Sequence, residues 1–274
     1  MSKTLYVSDL DGTLLRSNEQ MSEKSCKIIN ALVDRGLIFS YATARSVHTA
    51  SKVTSEFNAK IPLIVYNGAF IVDNQTKERI CTNTFTNEEA EEIYCALSNK
   101  GVMPIVYSLI DGTEKFSYYQ SRINPELKKF IATRENAHTH DFRNNPLNNN
   151  DDILKGEKYY FTCIDSADRL HPLYTCFKDK FNCVYHKDIY SGDQWLEIMP
   201  VKATKANAIL QLKELYGCDR VVSFGDGVND ISMFKISDEC YAVANAVDKL
   251  KEIATEVIES NDEDGVARWL AYNF

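Results

Sequence analysis

Two hydrophobic periods alternate between residues 5 and 66 of the chain. Short, continuous apolar runs are typical of buried strands, whereas apolar residues spaced three or four positions apart are typical of helices with one packed face. The pattern predicts strands at 5–7, 37–43 and 62–66 and helices at 22–36 and 46–58. Such alternation of strands and helices favours a parallel sheet with right-handed crossover connections.

The pattern changes between residues 69 and 193, where hairpin signals are mixed with helices. Paired apolar runs around turn residues predict one hairpin at 69–73 and 78–84 and a second at 103–109 and 115–120. Helices are predicted at 87–100, 124–135 and 166–180, strands at 158–164 and 182–189, and a loop in the Asn-rich run 144–150. This mixture of elements predicts an α+β module.

The strand–helix alternation returns at residue 195. It predicts strands at 195–199, 220–224 and 240–243 and helices at 204–216, 247–259 and 266–272. We therefore predict an α/β fold in which both ends of the chain, residues 1–83 and 194–274, build one parallel-sheet core. The α+β module, residues 84–193, is expected to be inserted into that core.

Composition narrows the class of protein. The hydrophobic fraction of 44% is sufficient for a packed core, and the net charge of −8 argues against nucleic acid or an anionic membrane as the main partner. Neither a basic-then-apolar leader nor an apolar run long enough to span a bilayer is recognisable. The eight cysteines are scattered without a Cys-x-x-Cys pair, so we expect reduced thiols and a cytoplasmic protein.

The histidines do not favour a zinc site. His138 and His140 are the only closely spaced pair among the five histidines, and no cysteine or second histidine pair lies near them in the sequence. We therefore expect a solvated loop at this position.

Two acidic residues, Asp9 and Asp11, directly follow the first predicted strand. Residues i and i+2 of an extended chain point to the same side, so the two carboxylates would repel each other unless a cation lies between them or one is protonated. Such a pair suits Mg²⁺, and it suits a reaction in which one carboxylate attacks while the other moves protons. The alternative is a strand-ending Asp followed by an ordinary Asp-Gly turn.

A second acidic strand end occurs at residues 225–230, Gly-Asp-Gly-Val-Asn-Asp. Asp226 is placed to complete an oxygen-lined cation site with Asp9, and Asn229 and Asp230 are placed to orient that site or to contact an anion. The alternative is that these side chains cap the helix that follows. Because the carboxyl ends of parallel strands share one edge of the sheet, two acidic strand ends favour the metal.

Two further positions are candidate phosphate contacts. Thr43 and Ala44 lie between a predicted strand and a helix start, where unpaired N–H groups and the helix dipole favour an anion, although an ordinary cap is the alternative. Lys205 lies in the first turn of its predicted helix, where the dipole disfavours a cation, and this mismatch suggests pairing with phosphate and the acidic residues. An exposed lysine is the alternative, and spacing alone does not choose between Lys205 and Lys202.

Taken in chain order, these motifs resemble those of the haloacid dehalogenase-like superfamily of phosphotransferases, and within it the Cof-type sugar-phosphatase group. The matching motifs are Asp9-Leu10-Asp11-Gly12-Thr13, Ala42-Thr43-Ala44-Arg45, Tyr66-Asn67-Gly68-Ala69, Lys205 ahead of an apolar helix, Gly225-Asp226-Gly227-Val228-Asn229-Asp230, Ala242-Val243-Ala244-Asn245-Ala246 and Asn261-Asp262-Glu263-Asp264-Gly265-Val266-Ala267. The resemblance covers the whole core in order, and the middle segment matches the α+β cap of that group in length and position.

The resemblance implies a role for each matching residue. Asp9 is implied to be the nucleophile that forms an aspartyl-phosphate, and Asp11 the general acid and base. Mg²⁺ is implied to bind Asp9, the backbone carbonyl of Asp11 and Asp226, with Asp230 in support. The phosphoryl oxygens are implied to bind the side chains of Thr43, Lys205 and Asn229 and the backbone N–H groups of Leu10 and Ala44. Ala44 stands where Gly is more usual in the group, a change that keeps the backbone donor.

The resemblance also implies a fold and an activity. The fold is a Rossmann-like parallel-sheet core with an inserted α+β cap, and the activity is Mg²⁺-dependent hydrolysis of a small phosphorylated metabolite, with a sugar phosphate favoured. We expect a monomer or a weak homo-oligomer. A phosphosugar mutase and a phosphosugar-binding regulator without turnover remain alternatives. The tyrosine pairs at 118–119 and 159–160 could line the face of the cap, but on a sheet such residues more often belong to its core or its surface.

Overall fold

The computed structural model describes residues 3–134, 141–187 and 192–274. The chain divides into two compact units: Met1–Thr82 with Ala203–Phe274, which we call the core unit, and Asn83–Lys202, which we call the inserted unit. The expected loop with His138 and His140 lies outside the described residues. Within the three described ranges, no helix combines the length and the hydropathy that crossing a membrane requires.

Strands and helices are numbered here in chain order. The strands are β1 (Thr4–Ser8), β2 (Ile38–Tyr41), β3 (Leu63–Val65), β4 (Phe70–Val72), β5 (Arg79–Thr82), β6 (Ile105–Ile110), β7 (Thr113–Tyr119), β8 (Asn144–Leu147), β9 (Glu157–Ile164), β10 (Asn182–Lys187), β11 (Gln194–Met199), β12 (Arg220–Gly225), β13 (Glu239–Val243) and β14 (Glu256–Ile258). The helices are α1 (Glu23–Asp34), α2 (Val47–Val53), α3 (Asn87–Asn99), α4 (Pro125–Arg134), α5 (Ala167–Phe177), α6 (Lys205–Leu215), α7 (Ile231–Phe234), α8 (Asp248–Lys251) and α9 (Gly265–Asn273).

A five-stranded parallel sheet forms the centre of the core unit, in the strand order β14-β13-β12-β1-β2. Leu5 and Val7 of β1 are fully buried, as expected for an apolar run with a parallel neighbour on each edge. Beyond β2, a parallel bridge between Ala42 and Ile64 leads to the antiparallel strands β3-β4-β5. The predicted α/β class is confirmed, and the first predicted hairpin is formed by β4 and β5.

Capping residues fix where the helices of the core unit begin. Ser22 Oγ accepts a hydrogen bond from the Ser25 N–H at 2.9 Å at the start of α1. Thr204 Oγ1 accepts one from the Asn207 N–H at 3.0 Å at the start of α6. Such caps satisfy N–H groups that have no partner within the helix. The cap at Thr204 therefore places Lys205 at the first position of α6.

The inserted unit contains a six-stranded sheet in the order β10-β11-β9-β6-β7-β8. Its pairs are antiparallel except β7 with β8. Buried hydrophobic side chains of α3, α5 and the sheet form one cluster, which includes Ile93, Leu97, Phe161, Leu170 and Phe177. The second predicted hairpin is formed by β6 and β7, and its turn residues Asp111 and Gly112 both have positive φ, as a two-residue hairpin turn requires.

The tyrosines of the inserted unit are buried. Tyr118, Tyr119, Tyr159 and Tyr160 each expose less than a tenth of their surface. Tyr119 belongs to the hydrophobic cluster, and the ring of Tyr107 lies 5.7 Å from that of Tyr160 and 6.3 Å from that of Tyr159. These tyrosines therefore pack within a core. Core packing was one of the two roles expected from the sequence, the other being a place on the surface of the sheet.

The assignment of the strand at 195–199 to the core was wrong. β11 pairs antiparallel with β10 and β9, and it lies in the inserted unit, which continues to Lys202. An apolar run of this length identifies a strand, but it carries no information about the sheet that the strand joins.

The loop predicted at 144–150 was also wrong in part, because β8 lies within it. β8 pairs in parallel with β7 at the edge of the sheet, and Asn145 Nδ2 donates to Ser117 Oγ at 2.8 Å. An edge strand tolerates Pro146, which has no N–H to donate. The Asn-rich composition indicated a loop, but pairing with β7 overrides that local preference.

The long helix predicted at 247–259 is replaced by the short helix α8 and the strand β14. The Thr255 N–H donates to the Cys240 carbonyl at 2.7 Å, and the Cys240 N–H donates to Thr255 Oγ1 at 3.0 Å. β14 then continues in parallel with β13. Pairing with β13 and the β-branched residues Val257 and Ile258 favour the strand over a continued helix.

Candidate active site

The acidic residues follow the carboxyl ends of adjacent parallel strands. β12, β1 and β2 are neighbours in the sheet, and they lead directly towards Asp226, Asp9 and Thr43. Asp9 remains extended, with φ −64° and ψ 163°, and its N–H donates to the Phe224 carbonyl at 2.9 Å. The candidate site therefore lies at the sheet edge where ligands of open α/β proteins gather.

The turn that follows Asp9 packs closely against Asp226. Gly12 has φ +75°, and a Cβ at this position would collide with the Asp226 carboxylate. Glycine is required there both for the backbone conformation and for the close approach. Thr13 Oγ1 donates to Asp226 Oδ1 at 2.9 Å, so the loops after β1 and β12 are joined.

The buried side chain of Asp230 stabilises the loop after β12 by hydrogen bonding to its backbone. The side chain is fully buried, and its Oδ2 accepts hydrogen bonds from the N–H groups of Asp226 and Gly227, both at 2.9 Å. Its other oxygen accepts a hydrogen bond from Lys205 Nζ at 2.7 Å. Asp230 therefore orients the loop that carries Asp226 and also belongs to the acidic cluster.

Lys205, which is only 1% exposed, bridges two of the acidic residues. Its ammonium group forms ion pairs with Asp9 and Asp230. Lys202, in contrast, is exposed and lies at the end of the inserted unit. Of the two lysines between which spacing did not choose, Lys205 is the one that lies among the acidic residues, and two carboxylates stabilise this cation in the first turn of α6.

The cluster has the composition of a cation site. One carboxylate oxygen from each of Asp9, Asp226 and Asp230 lies within 4.8 Å of the others, and Lys205 supplies the positive charge among them. Burial raises the pKa of Asp9 well above its usual range, and Asp230, Asp226 and Asp11 add to the rise, although Lys205 opposes it. A hard divalent cation would relieve this repulsion, so the residues present fit such an ion.

Burial and neighbouring charges also determine the pKa values of Asp226 and Lys205. Burial and the neighbouring Asp230 raise the pKa of Asp226 to about 7, although the hydrogen bond from Thr13 and the charge of Lys205 oppose the rise. Burial alone would lower the pKa of Lys205, but Asp230 and Asp9 outweigh it and raise the pKa above its ordinary value. Lys205 therefore stays charged, whereas the folded protein disfavours the charged form of Asp226.

The carboxylate of Asp11 lies in a separate ion pair with Arg45. Arg45 Nε donates to Asp11 Oδ2 at 2.8 Å, and Arg45 Nη2 donates to Asp11 Oδ1 at 2.5 Å. The same Nη2 donates to Glu19 Oε2 at 2.8 Å. Burial opposes the charge of Arg45, but these two carboxylates raise its pKa further. A two-point contact of this kind fixes the plane of the Asp11 carboxylate.

The expected phosphate contacts lie around the same strand ends. Thr43 is fully buried, and its hydroxyl accepts a hydrogen bond from the Arg45 N–H at 3.0 Å. Leu10 is buried, Ala44 is half-buried, and Asn229 is half-buried with its side-chain oxygen folded towards Gly227. Anion binding by these groups stays a prediction.

Three residues that had no role predicted from the sequence also lie at the site. Arg45 and Thr13 were part of the matched motifs, but only the fold shows that they contact Asp11 and Asp226. Glu19, outside the motifs, shares Arg45 with Asp11. Arg45 and Asp11 are 34 positions apart, so no local spacing connects them.

The chain is similar to known proteins over almost its whole length. The sequence profile described as haloacid dehalogenase-like hydrolase matches residues 6–270. The chain is 28% identical to 5-amino-6-(5-phospho-D-ribitylamino)uracil phosphatase YwtE of Bacillus subtilis, covering 96% of this chain and 95% of the relative. It is 25% identical to a second B. subtilis 5-amino-6-(5-phospho-D-ribitylamino)uracil phosphatase, YitU, covering 98% of this chain and 97% of the relative.

Solved structures give the same result. The crystal structure of TM0651 from Thermotoga maritima is 26% identical, with a TM-score of 0.76 and coverage of 100% of this chain and 98% of the other. A haloacid dehalogenase-like hydrolase from Bacteroides thetaiotaomicron, 23% identical, has the same TM-score and supports the fold. The resemblance seen in the motifs is confirmed: the chain belongs to the haloacid dehalogenase-like hydrolases, among relatives that are phosphatases.

Proposed function

We propose that this protein is a Mg²⁺-dependent phosphatase that hydrolyses a small phosphorylated metabolite through an aspartyl-phosphate on Asp9. The observation that carries the proposal is the pairing of Asp9 with Lys205 inside a cluster of three close carboxylates. One oxygen of Asp9 is held by the ammonium group, and the cluster has more negative charge than Lys205 balances. Such a site suits a nucleophile that works beside a bound cation.

The proposed reaction has two steps. In the first, a carboxylate oxygen of Asp9 bonds to the phosphorus while the ester oxygen leaves with a proton from Asp11. In the second, Asp11 takes a proton from water, the water oxygen bonds to the phosphorus, and the bond to Asp9 breaks to release phosphate. The first step leaves Asp9 phosphorylated and Asp11 without its proton, and the second step returns both residues to their starting state, as general acid–base logic in covalent catalysis requires.

The side chains of the core unit would share the charge that the phosphoryl group carries. Asp9, Asp226 and the backbone carbonyl of Asp11 would hold the Mg²⁺, with Asp230 in support, and the ion would supply positive charge at the phosphoryl oxygens. The ammonium group of Lys205, which pairs with Asp9 and Asp230, would contribute a second positive charge. Arg45 holds the Asp11 carboxylate in one plane, so it fixes the direction of proton transfer.

A sugar phosphate or a related polyol phosphate is the proposed substrate class. Two relatives of this chain are named for activity on a phosphorylated ribityl group, which belongs to that class. The resemblance to the Cof-type group further assigns substrate choice to the inserted unit as a cap. A cytoplasmic location is part of the proposal, supported by eight cysteines that are all free thiols.

The first test is phosphate release from a panel of sugar phosphates, nucleotides and 5-amino-6-(5-phospho-D-ribitylamino)uracil, with Mg²⁺ and then with EDTA. We expect Mg²⁺-dependent release, and we expect Asp9→Asn to lower it by at least about 10³-fold because the nucleophile is lost. Asp34→Asn is the matched control, because Asp34 also pairs with a lysine, Lys60, but on the surface of the core unit.

The outcomes separate the proposal from its alternatives. Release that survives in Asp9→Asn, or that ignores EDTA, would overturn the proposed mechanism. Conversion of a sugar phosphate to its isomer without phosphate release would establish a mutase. Binding of the sugar phosphate without either product would establish a regulator.

A further inference from the structure

Two matched motifs of the core unit have no role in the proposed reaction: residues 242–246 and residues 261–267. Each contributes an asparagine that donates to a backbone carbonyl of the turn after Asp9. Asn245 Nδ2 donates to the Gly12 carbonyl at 2.7 Å, and Asn261 Nδ2 donates to the Leu15 carbonyl at 2.9 Å. The turn, which spans Leu10–Leu14, is therefore held at its middle and just after its last residue.

The two asparagines are also joined to each other. The Asn261 N–H donates to Asn245 Oδ1 at 3.1 Å. The side-chain amide of Asn245 thus donates to the turn after Asp9 and accepts from the segment that contains Asn261. Asn261 is buried, whereas Asn245 lies at the surface. An exposed side chain that bridges two backbone segments adds order that neither segment has alone.

The turn held in this way is the one that contacts Asp226. Gly12 packs against the Asp226 carboxylate, and Thr13 donates to it. The segment after β13 also contacts the loop after β12 directly, because the Val247 N–H donates to the Asp226 carbonyl at 2.9 Å. Asn245 and Val247, two positions apart, thus contact the loops after β1 and β12 respectively.

We propose that Asn245 is a positioning residue for the carboxylate cluster. By holding the Gly12 carbonyl, it keeps the Thr13 hydroxyl on Asp226 and so sets how tightly the cluster binds a divalent cation. Residues that orient the ligands of a metal influence its affinity without touching it. The inference rests on the proposed function, because it assumes that the cluster binds Mg²⁺.

The test is calorimetric titration of the full chain with Mg²⁺ alone. We expect Asn245→Ala to raise the Kd for Mg²⁺ by about tenfold, the lower end of the effect of removing a group that orients a metal ligand. Asn30→Ala is the matched control, because Asn30 bridges two segments in the same way: its Nδ2 donates to the Glu56 carbonyl at 2.8 Å, and its Oδ1 accepts from the Asn58 N–H at 2.9 Å. We expect Asn30→Ala to leave the Kd unchanged while lowering the urea midpoint as much as Asn245→Ala does.

A second variant separates hydrogen bonding from charge. Asn245→Asp keeps the acceptor for the Asn261 N–H but cannot donate to the Gly12 carbonyl. If donation positions the turn, this variant binds Mg²⁺ more weakly than the wild type despite its added negative charge. Tighter binding would show that only the local charge matters, and it would overturn the inference.

A double-mutant cycle tests the route through Thr13. Thr13→Val removes the hydroxyl that donates to Asp226 while keeping the shape of the side chain. We expect Thr13→Val to weaken Mg²⁺ binding and Asn245→Ala to add little to it, because coupled groups are not additive. Additive effects, or an Asn245→Ala protein that binds Mg²⁺ like the wild type, would overturn the inference.

The outcome is separable from that of the proposed function. A wild type that releases phosphate beside an Asn245→Ala protein of unchanged Mg²⁺ affinity overturns the positioning role alone. A wild type that binds Mg²⁺ but releases no phosphate overturns the phosphatase mechanism and leaves the binding comparison intact. A wild type that binds no Mg²⁺ overturns both.

Discussion

Two aspartates of the core unit are almost equally buried but have opposite electrostatic environments. Asp9 is 5% exposed and Asp264 is 6% exposed. Asp264 accepts hydrogen bonds from Arg16 at 2.7 and 3.0 Å and from the hydroxyls of Ser22 and Ser25 at 2.7 and 3.1 Å. Burial would raise its pKa, but these donors outweigh burial, and the pKa of Asp264 lies below its ordinary value.

The difference separates a structural carboxylate from the proposed nucleophile. Every strong partner of Asp264 is a donor, so the folded protein favours its charged form. Burial disfavours the charged form of Asp9, and Lys205, which Asp9 shares with Asp230, does not offset burial and the further carboxylates that Asp9 faces. A cluster of buried carboxylates that an added cation would stabilise suits a metal-dependent reaction, and perturbed pKa values are commonly concentrated at such sites.

Replacing the shared cation gives the largest expected effect. Lys205→Met leaves Asp9 and Asp230 buried without their partner, so we expect it to lower the free energy of unfolding in EDTA by about 3 kcal/mol or more. Turnover should fall by at least about 10²-fold because a preorganised positive charge is lost. Urea unfolding and phosphate release measure the two effects.

Lys202→Met is the control for this comparison. Lys202 is exposed, so we expect its replacement to change the free energy of unfolding by no more than about 0.5 kcal/mol. Turnover by Lys205→Met at the wild-type rate would mean that the ammonium group only balances charge in the folded protein.

The structural carboxylate should respond in stability and hardly in turnover. Asp264→Asn removes the charge that Arg16 and two serines solvate, and we expect the free energy of unfolding to fall by about 1–3 kcal/mol. The lower part of that range is favoured because Arg16 is 38% exposed and can regain water. Urea unfolding provides the measurement.

The neighbouring Asp262 provides the control. It also accepts two hydrogen bonds, from the N–H and hydroxyl of Ser17, but it is exposed. Asp262→Asn should therefore cost no more than about 0.5 kcal/mol. Equal losses for the two variants would show that burial does not distinguish these carboxylates.

The sequence predicted the parts of this comparison that depend on local pattern. The alternation of β1, α1 and β2 located the sheet, and the acidic strand ends identified Asp9 and Asp226 as members of one site. The dipole mismatch at the start of α6 marked Lys205, which the structure brings to Asp9 across 196 positions of sequence.

The features that were missed depend on partners distant in sequence. β11 reads as a strand in isolation, but only pairing with β9 and β10 assigns it to the inserted unit. β14 contains three residues, and its ladder with β13 ends a helix that the local pattern would have continued. The Arg45–Asp11 pair and the donors to Asp264 likewise join segments whose proximity exists only in the fold.

The last expected effect is the pH dependence of the metal-free protein. The pKa of Asp226 is about 7 in the folded chain and returns to about 4 on unfolding, and Asp9 shifts in the same direction. Between these values the folded state binds more protons than the unfolded state, so stability falls as the pH rises towards 7 and then levels off. We expect the Tm in EDTA to fall by several degrees from pH 5 to pH 8, since 1 kcal/mol corresponds to about 2–4 °C in larger domains.

Mg²⁺ should reverse this dependence, because it binds the deprotonated carboxylates. The rise in Tm on adding Mg²⁺ is therefore expected to be larger at pH 8 than at pH 5, as thermal unfolding would show. Asp226→Asn is the control, because it removes one of the two groups whose pKa is raised and should flatten the fall of the Tm in EDTA.

Asp264 acts in the opposite sense: its lowered pKa adds stability that is lost only as the pH falls below the ordinary aspartate value. A metal-free protein whose stability rises steadily from pH 5 to pH 8 would mean that the cluster is already balanced without a cation, and the contrast between Asp9 and Asp264 would disappear.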